Sequence, residues 1–220
     1  MKSRASSHSA GKAHVETDGG FVPERIFADI KARLSLGDGR ETGSAPNFSP
    51  PSTDRVSLHA AAVLVGLVSY PDEVTVILTR RSTALPVHSG QIAFPGGKIE
   101  PFDESPAAAA LREANEEIGL DARHVEPIGY LQPRTTGTGF RVVPVVAKIE
   151  PPLRLRLNQH EVEEAFEVPF AFLMNEANHS LCAREWQGQM RQFYAMVYEK
   201  RDIWGLTASI LRNLYERLYL

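Results

Sequence analysis

One stretch constrains the fold of this chain more than any other: residues 105–119, with Ser105-Pro106 at the head, Gly119 at the tail, and Ala107, Leu111, Ala114 and Ile118 between them at helical spacing. Serine suits a helix cap, proline the first helical position and glycine the residue beyond the end, so the spacing predicts a helix over 106–118 with both ends fixed. Its surroundings are of the other kind. Ala60 to Tyr70 is an apolar run rich in Val and Leu, Pro71-Asp72 marks a turn, and Val74 to Arg80 is β-branched; these read as a hairpin. Gln91 to Phe94 reads as a short strand stopped by Pro95-Gly96-Gly97. His124 to Leu131 and Arg141 to Ile149 read as further strands, the first leading into a loop over Thr135 to Gly139. Glu161 to Phe166 is expected to form a helical turn before Pro169, and Cys182 to Trp186 with Gln192 to Tyr198 a second hairpin. Leu206, Ile210, Leu211, Leu214 and Leu218 form the stripe of a closing helix. Strands before, around and after one central helix specify an α/β (α+β) class with a mixed sheet.

Upstream, Met1 to Gly20 lacks apolar periodicity and is expected to be disordered. Ile26, Ile30 and Leu34, with Pro23 before and Gly37 after, predict a short amphipathic helix. Its stripe could pack on its own domain or on a second subunit, which leaves monomer and homodimer both open. Residues 37–54 read as a linker. The expected division is a disordered N-terminus, short helix and linker over 1–54 and a catalytic domain over 55–220. A net charge of −3 supplies no basic field for a nucleic-acid duplex, so an anionic substrate needs local cations or a bound metal. Cys182 is the only cysteine, which excludes an internal disulfide and any multi-cysteine zinc site and fits a reducing cytoplasm; it is expected to fill space in a strand. No apolar run approaches the ~20 residues of a membrane span, and the start lacks a signal-peptide core, so a cytoplasmic protein without membrane contact is expected.

The chemistry concentrates on the helix. Glu113, Glu116 and Glu117 stand at i, i+3 and i+4, so their carboxylates are neighbours on a face expected to lie opposite the apolar one. Like charges at these spacings repel, and near the C-terminal end the helix dipole disfavours them further. Arg112 relieves part of this cost, and a divalent cation such as Mg²⁺, which takes oxygen ligands and bridges carboxylates to phosphates, would relieve most of it. Just upstream, Gly96-Gly97 lets backbone approach a ligand, Lys98 adds a positive charge, and the following loop holds Glu100, Asp103 and Glu104. A solvated acidic face would explain the glutamates alone; with the glycine pair, a phosphate-friendly turn and a carboxylate cluster suited to a metal lie on one short strand–loop–helix unit.

These residues resemble a known motif. Gly97, six residues, Glu104, seven residues, then Arg112-Glu113-Ala114-Asn115-Glu116-Glu117-Ile118-Gly119-Leu120 is similar to the Nudix box, whose usual spacing between its first Gly and first Glu is five; here Asp103 occupies that position. The resemblance implies the Nudix fold, a mixed sheet sandwiched between helices, and hydrolysis of a nucleoside diphosphate linked to another group. It implies Glu113, Glu116 and Glu117 as ligands of Mg²⁺ or Mn²⁺, Arg112 as a residue that orients a carboxylate, and Asp103 or Glu104 as support. The proton of the attacking water would go to Glu116, Glu117 or Glu161. Leu78-Thr79-Arg80-Arg81-Ser82, Leu85, His88, Gly90-Gln91 and Phe94-Pro95-Gly96-Gly97-Lys98 resemble the signature of the coenzyme A pyrophosphatase subgroup. So do Thr138-Gly139-Phe140, Val143 to Val146, Glu161-Val162 and Trp204 to Ala208.

One departure is Pro86, where the subgroup commonly carries arginine after the leucine. The candidates for substrate contact are then Arg80, Arg81, Gly96, Gly97 and Lys98. Alternation along the strand puts Arg81 on the more polar face with Thr75, Ile77 and Thr79, which favours it over Arg80 for the 3′-phosphate of coenzyme A. His88 reads as a loop hydrogen-bonder rather than a ligand, and Trp204 as a core residue, with stacking on a base as the alternative. The rival readings are a Nudix pyrophosphatase for ADP-ribose, dinucleotides or modified nucleotides, and a non-catalytic ligand sensor on the same fold; intact Glu113, Glu116 and Glu117 argue against the sensor.

Overall fold

A computed structural model describes residues 23–34, 58–186 and 188–220; the expectations for Met1 to Gly20 and for residues 37–54, and the boundary between residues 54 and 55, lie outside the described residues. In chain order the elements begin with α1 (Pro23–Arg33), β1 (His59–Ser69), β2 (Val74–Arg81), β3 (Ile92–Ala93), β4 (Gly96–Lys98), α2 (Pro106–Ile118), β5 (Val125–Tyr130), β6 (Arg134–Thr135) and β7 (Phe140–Ile149). They continue with β8 (Val162–Pro169), α3 (Phe170–Leu173), β9 (Ser180–Trp186), β10 (Gln189–Tyr198), β11 (Arg201–Trp204) and α4 (Gly205–Tyr219).

The large sheet is mixed. β1 runs parallel to β7 and antiparallel to β2 and β4, β5 and β6 line the far edge of β7, and β3 and β8 pair with β2. β1 is buried on both faces, which is why its sequence reads as an unbroken apolar run rather than an alternation. Val65 and Leu67 enter one core with Phe27 and Ile30 of α1, Leu34 just after it, and Ile210, Leu211 and Leu214 of α4. Ala62, Leu64 and Val68 enter the other, with Ala109, Ala110, Ala114 and Ile118 of α2. The sheet is therefore sandwiched between helices, and the α1 stripe is spent within its own chain. A three-stranded antiparallel sheet, β9–β10–β11, leans on α4 through Met196 and Ile203.

Two expectations are corrected. Glu161 to Phe166 is not a helical turn: Val162–Pro169 is a strand paired along β2 from Thr75 to Arg81, and this long-range ladder overrides the local pattern. Gly96 and Gly97 are not in a turn: they belong to β4, opposite Val63 and Ala62 of β1. The helix signals hold. Ser105 Oγ accepts from the Ala108 N–H at 3.1 Å, an interaction that stabilises a helix by about 1 kcal/mol, and Gly119 closes α2 at φ 67.

Candidate active site

α2 lies across β1 and β4 and delivers its glutamates into three different environments. Glu117 is 3% exposed, beside Ala114 and Ile118, rather than on an outer face. Its Oε2 accepts from the Gly96 N–H at 3.1 Å, and its Oε1 lies 3.9 Å from Arg81 Nη1. Burial pushes its carboxyl up to about 7, against the opposing pull of the Gly96 N–H and Arg81. Glu113 is half-buried, and its Oε1 accepts from Arg112 Nη1 at 2.8 Å. Burial raises its pKa too, with Arg112 opposing and the fields of Glu116 and Glu161 adding. Glu116 is exposed and 3.4 Å from Arg112.

Gly97 explains how Glu113 fits: a β-carbon there would occupy the space of the Glu113 carboxylate, so glycine leaves room for that carboxylate to lie against β4. Of Asp103 and Glu104, Asp103 is the one in contact with Arg112. Arg112 grips Asp103 in a fork, Nε to Oδ1 at 3.1 Å and Nη2 to Oδ2 at 2.9 Å, and also donates to the Lys98 carbonyl at 3.0 Å. Arg112 in turn holds the Asp103 carboxyl below its ordinary range. Glu104 is exposed. Asp103, with five residues between it and Gly97, thus makes the contact from the position that the usual spacing gives.

Glu161 arrives from the other side. The carbonyls that α2 leaves unpaired at its C-terminal end accept from a passing segment, Ile118 from the Arg156 N–H at 2.8 Å and Glu117 from the Asn158 N–H at 2.9 Å. The Ser82 N–H then binds the Glu161 carbonyl at 2.8 Å, and Asn158 Nδ2 donates to Glu161 Oε1 at 3.0 Å. So fixed, Glu161 contributes its negative field to both Glu113 and Glu117. Sequence reasoning missed Asn158, which carries no periodic or motif signal of its own.

The structure therefore gathers Arg81, Gly96, Gly97, Arg112, Glu113, Glu117 and Glu161, with Glu116 at the exposed rim. Arg80 turns away: its Nε binds Glu164 at 3.1 Å, and Glu164 is shared with Arg201. Lys98 contributes its carbonyl, while its side chain is exposed and points to the opposite face of β4 from Gly97. His88, at φ 59, pairs its Nδ1 with Gln91 Oε1 at 2.9 Å, as a loop hydrogen-bonder. Trp204 is not a core residue; it is 39% exposed and packs edge-on against Phe193.

Among the described residues no three carboxylate, imidazole or thiol side chains converge tightly enough to cage a metal unaided. The donor set nevertheless fits a hard divalent cation: it is all oxygen, its members repel one another, and its most buried carboxylate is held above its ordinary pKa by burial, with the negative fields of Glu113 and Glu161 adding. Among the described residues no helix is long and apolar enough to cross a membrane.

Residues 58–191 match the family model described as the NUDIX domain. The chain is 38% identical over 171 residues to a protein of Photorhabdus laumondii named "Uncharacterized Nudix hydrolase NudL", covering 77% of this chain and 91% of that one. The protein of the same name from Yersinia enterocolitica is 38% identical over 168 residues, covering 76% and 86%. That from Escherichia coli K12 is 39% identical over 166 residues, covering 74% and 86%. The chain belongs to the Nudix hydrolase family, whose chemistry is the metal-dependent hydrolysis of a diphosphate linkage.

Proposed function

We propose that this protein hydrolyses the diphosphate of coenzyme A or acyl-coenzyme A, giving a phosphopantetheine and adenosine 3′,5′-bisphosphate. The observation that carries the reading is the contact between the subgroup-like segment and the carboxylates: Arg81 lies at Glu117, the Gly96 N–H binds Glu117, and Gly97 makes room for Glu113. Glu113, Glu116 and Glu117 would hold Mg²⁺ or Mn²⁺. Bound there, the ion would neutralise charge on the diphosphate oxygens and acidify the attacking water. Arg112, anchored by Asp103, orients Glu113. Arg81 binds the diphosphate rather than the distal 3′-phosphate, because it is paired at the carboxylate cluster itself. Glu161 is the favoured base. Its Oε1 is engaged by Asn158, and its other oxygen takes the proton as water oxygen bonds to phosphorus and the bridging P–O bond breaks. Glu116 and Glu117 are the other candidates.

The test is a substrate panel of coenzyme A, acyl-coenzyme A, ADP-ribose and NADH, read as kcat/KM. The reading expects the two coenzyme A substrates to lead by at least tenfold. A lead for ADP-ribose or NADH returns the enzyme to the broader pyrophosphatase class, and no turnover of any diphosphate favours a ligand sensor.

A further inference from the structure

The small sheet has an outer face with no assigned role. In β9–β10–β11, residues directly opposite one another share a face, so Arg191 stands beside Arg184, Phe193 beside Cys182, and Ala195 beside Trp204. The opposite face carries Met196 and Ile203 into the core. The outer face therefore presents two adjacent arginines and, one rung along, an aromatic pair, Phe193 and Trp204, with ring centroids 5.9 Å apart. Like charges directly opposite on a sheet destabilise it, and among the described residues neither Arg184 nor Arg191 has a carboxylate partner. A carboxylate on this face, Asp202, sits beside Val197, about 20 Å from Arg191 at the rise of a strand.

Both ends of this face are tied to segments that flank the active site. Arg191 Nη1 lies 3.8 Å from where a β-carbon would stand on Gly137. That loop is held by the His59 N–H to Gly139 carbonyl bond, 2.9 Å long, at the end of β1 that pairs with β4. At the other end, Trp204 leads into α4, where Thr207 Oγ1 donates to the Ile92 carbonyl at 2.9 Å, just upstream of Gly96.

We propose that this face is the wall of the active site that binds the phosphoadenosine half of the substrate. Adenine stacks on Phe193 and Trp204, and the 3′-phosphate sits on Arg184 and Arg191, one ribose away. A rise of ~3.4 Å per residue sets Arg191 about 7 Å from Phe193 along β10. Aromatic faces hold bases, and guanidinium forks hold phosphates, so the patch matches a nucleotide carrying a phosphate beyond its diphosphate. The wall supplies the cations that Pro86 takes from the signature loop, and it rests on the coenzyme A reading.

The experiment is titration calorimetry of the full chain with adenosine 3′,5′-bisphosphate and with 5′-AMP, using wild type, the double variant Arg184→Gln/Arg191→Gln, and Trp204→Leu. Wild type is expected to prefer the bisphosphate by roughly ten- to a hundredfold, the scale of charge-assisted contacts. The double variant loses that preference with no fall in melting temperature, since removing two like charges from opposed positions relieves repulsion, and Trp204→Leu weakens both nucleotides together. A preference that survives in the double variant overturns the wall and leaves the coenzyme A reading standing. An unchanged affinity in Trp204→Leu overturns the stacking. If wild type shows no preference, the wall fails; turnover of coenzyme A in the same preparation then decides whether the substrate reading fails with it.

Discussion

Glu117→Gln should make the metal-free protein more stable while disabling the enzyme. Glu117 is 3% exposed, and burial raises its carboxyl from an ordinary 4.5 to about 7. A buried acid raised in this way contributes its full stability below the unfolded value of 4.5, and that stability is lost as pH rises through 7. The gap between the two values corresponds to roughly 3 kcal/mol at pH 8. Glutamine can still accept from the Gly96 N–H but gives up the 3.9 Å pairing with Arg81, so the net gain is expected to be about 1–2 kcal/mol, or a rise of ~3–6 °C in Tm. At pH 5 the wild-type carboxyl is protonated in the fold, and the gain falls toward zero. The assay is thermal melting in chelator at pH 8 and pH 5, with kcat measured in Mg²⁺ alongside. A destabilised variant at pH 8, or an equal increment at both pH values, would refute the account of Glu117 as a carboxylate kept buried for a metal.

Gly97→Ala should lower kcat at least tenfold while the chain still folds, because the added methyl displaces the Glu113 carboxylate; unchanged turnover in a steady-state assay would contradict that packing. Asp103→Asn should loosen Arg112 and reduce kcat, whereas Glu104→Gln, altering an exposed side chain, should leave kcat within about twofold, and equal effects would remove the assignment of Asp103. Arg81→Ala should raise KM for coenzyme A and dephospho-coenzyme A alike, while Arg80→Ala should spare KM and cost about 1 kcal/mol of stability through Glu164 in a denaturant melt. A selective loss on coenzyme A in Arg81→Ala would place that arginine on the 3′-phosphate instead.

Helix α2, its caps, the β1–β2 hairpin and the closing helix were legible because periodicity and end chemistry are local properties of the chain. The alternation that separated Arg80 from Arg81 also carried through, although a bulge falls between them against β8. What was not legible depends on contacts far apart in sequence. The 162–169 segment becomes a strand because β2 offers an unpaired edge, and Gly96-Gly97 becomes one because β1 does. The unequal burial of Glu113, Glu116 and Glu117 follows from how α2 rolls onto β1 and β4, which spacing on the helix cannot fix. Glu161 joins the cluster only because residues 156–161 hang on the end of α2. The small sheet's outer face, with Trp204 half-exposed, needed the register of β9, β10 and β11.

The central claim is that the clustered carboxylates act through a divalent ion on a diphosphate, and one measurement tests it most directly: coenzyme A hydrolysis by the wild-type chain in excess chelator, then after addition of Mg²⁺ or Mn²⁺, with products identified by mass. The account predicts no turnover in chelator and, with metal restored, a phosphopantetheine and adenosine 3′,5′-bisphosphate in equal amounts. Full activity in chelator would contradict the role given to Glu113, Glu116 and Glu117.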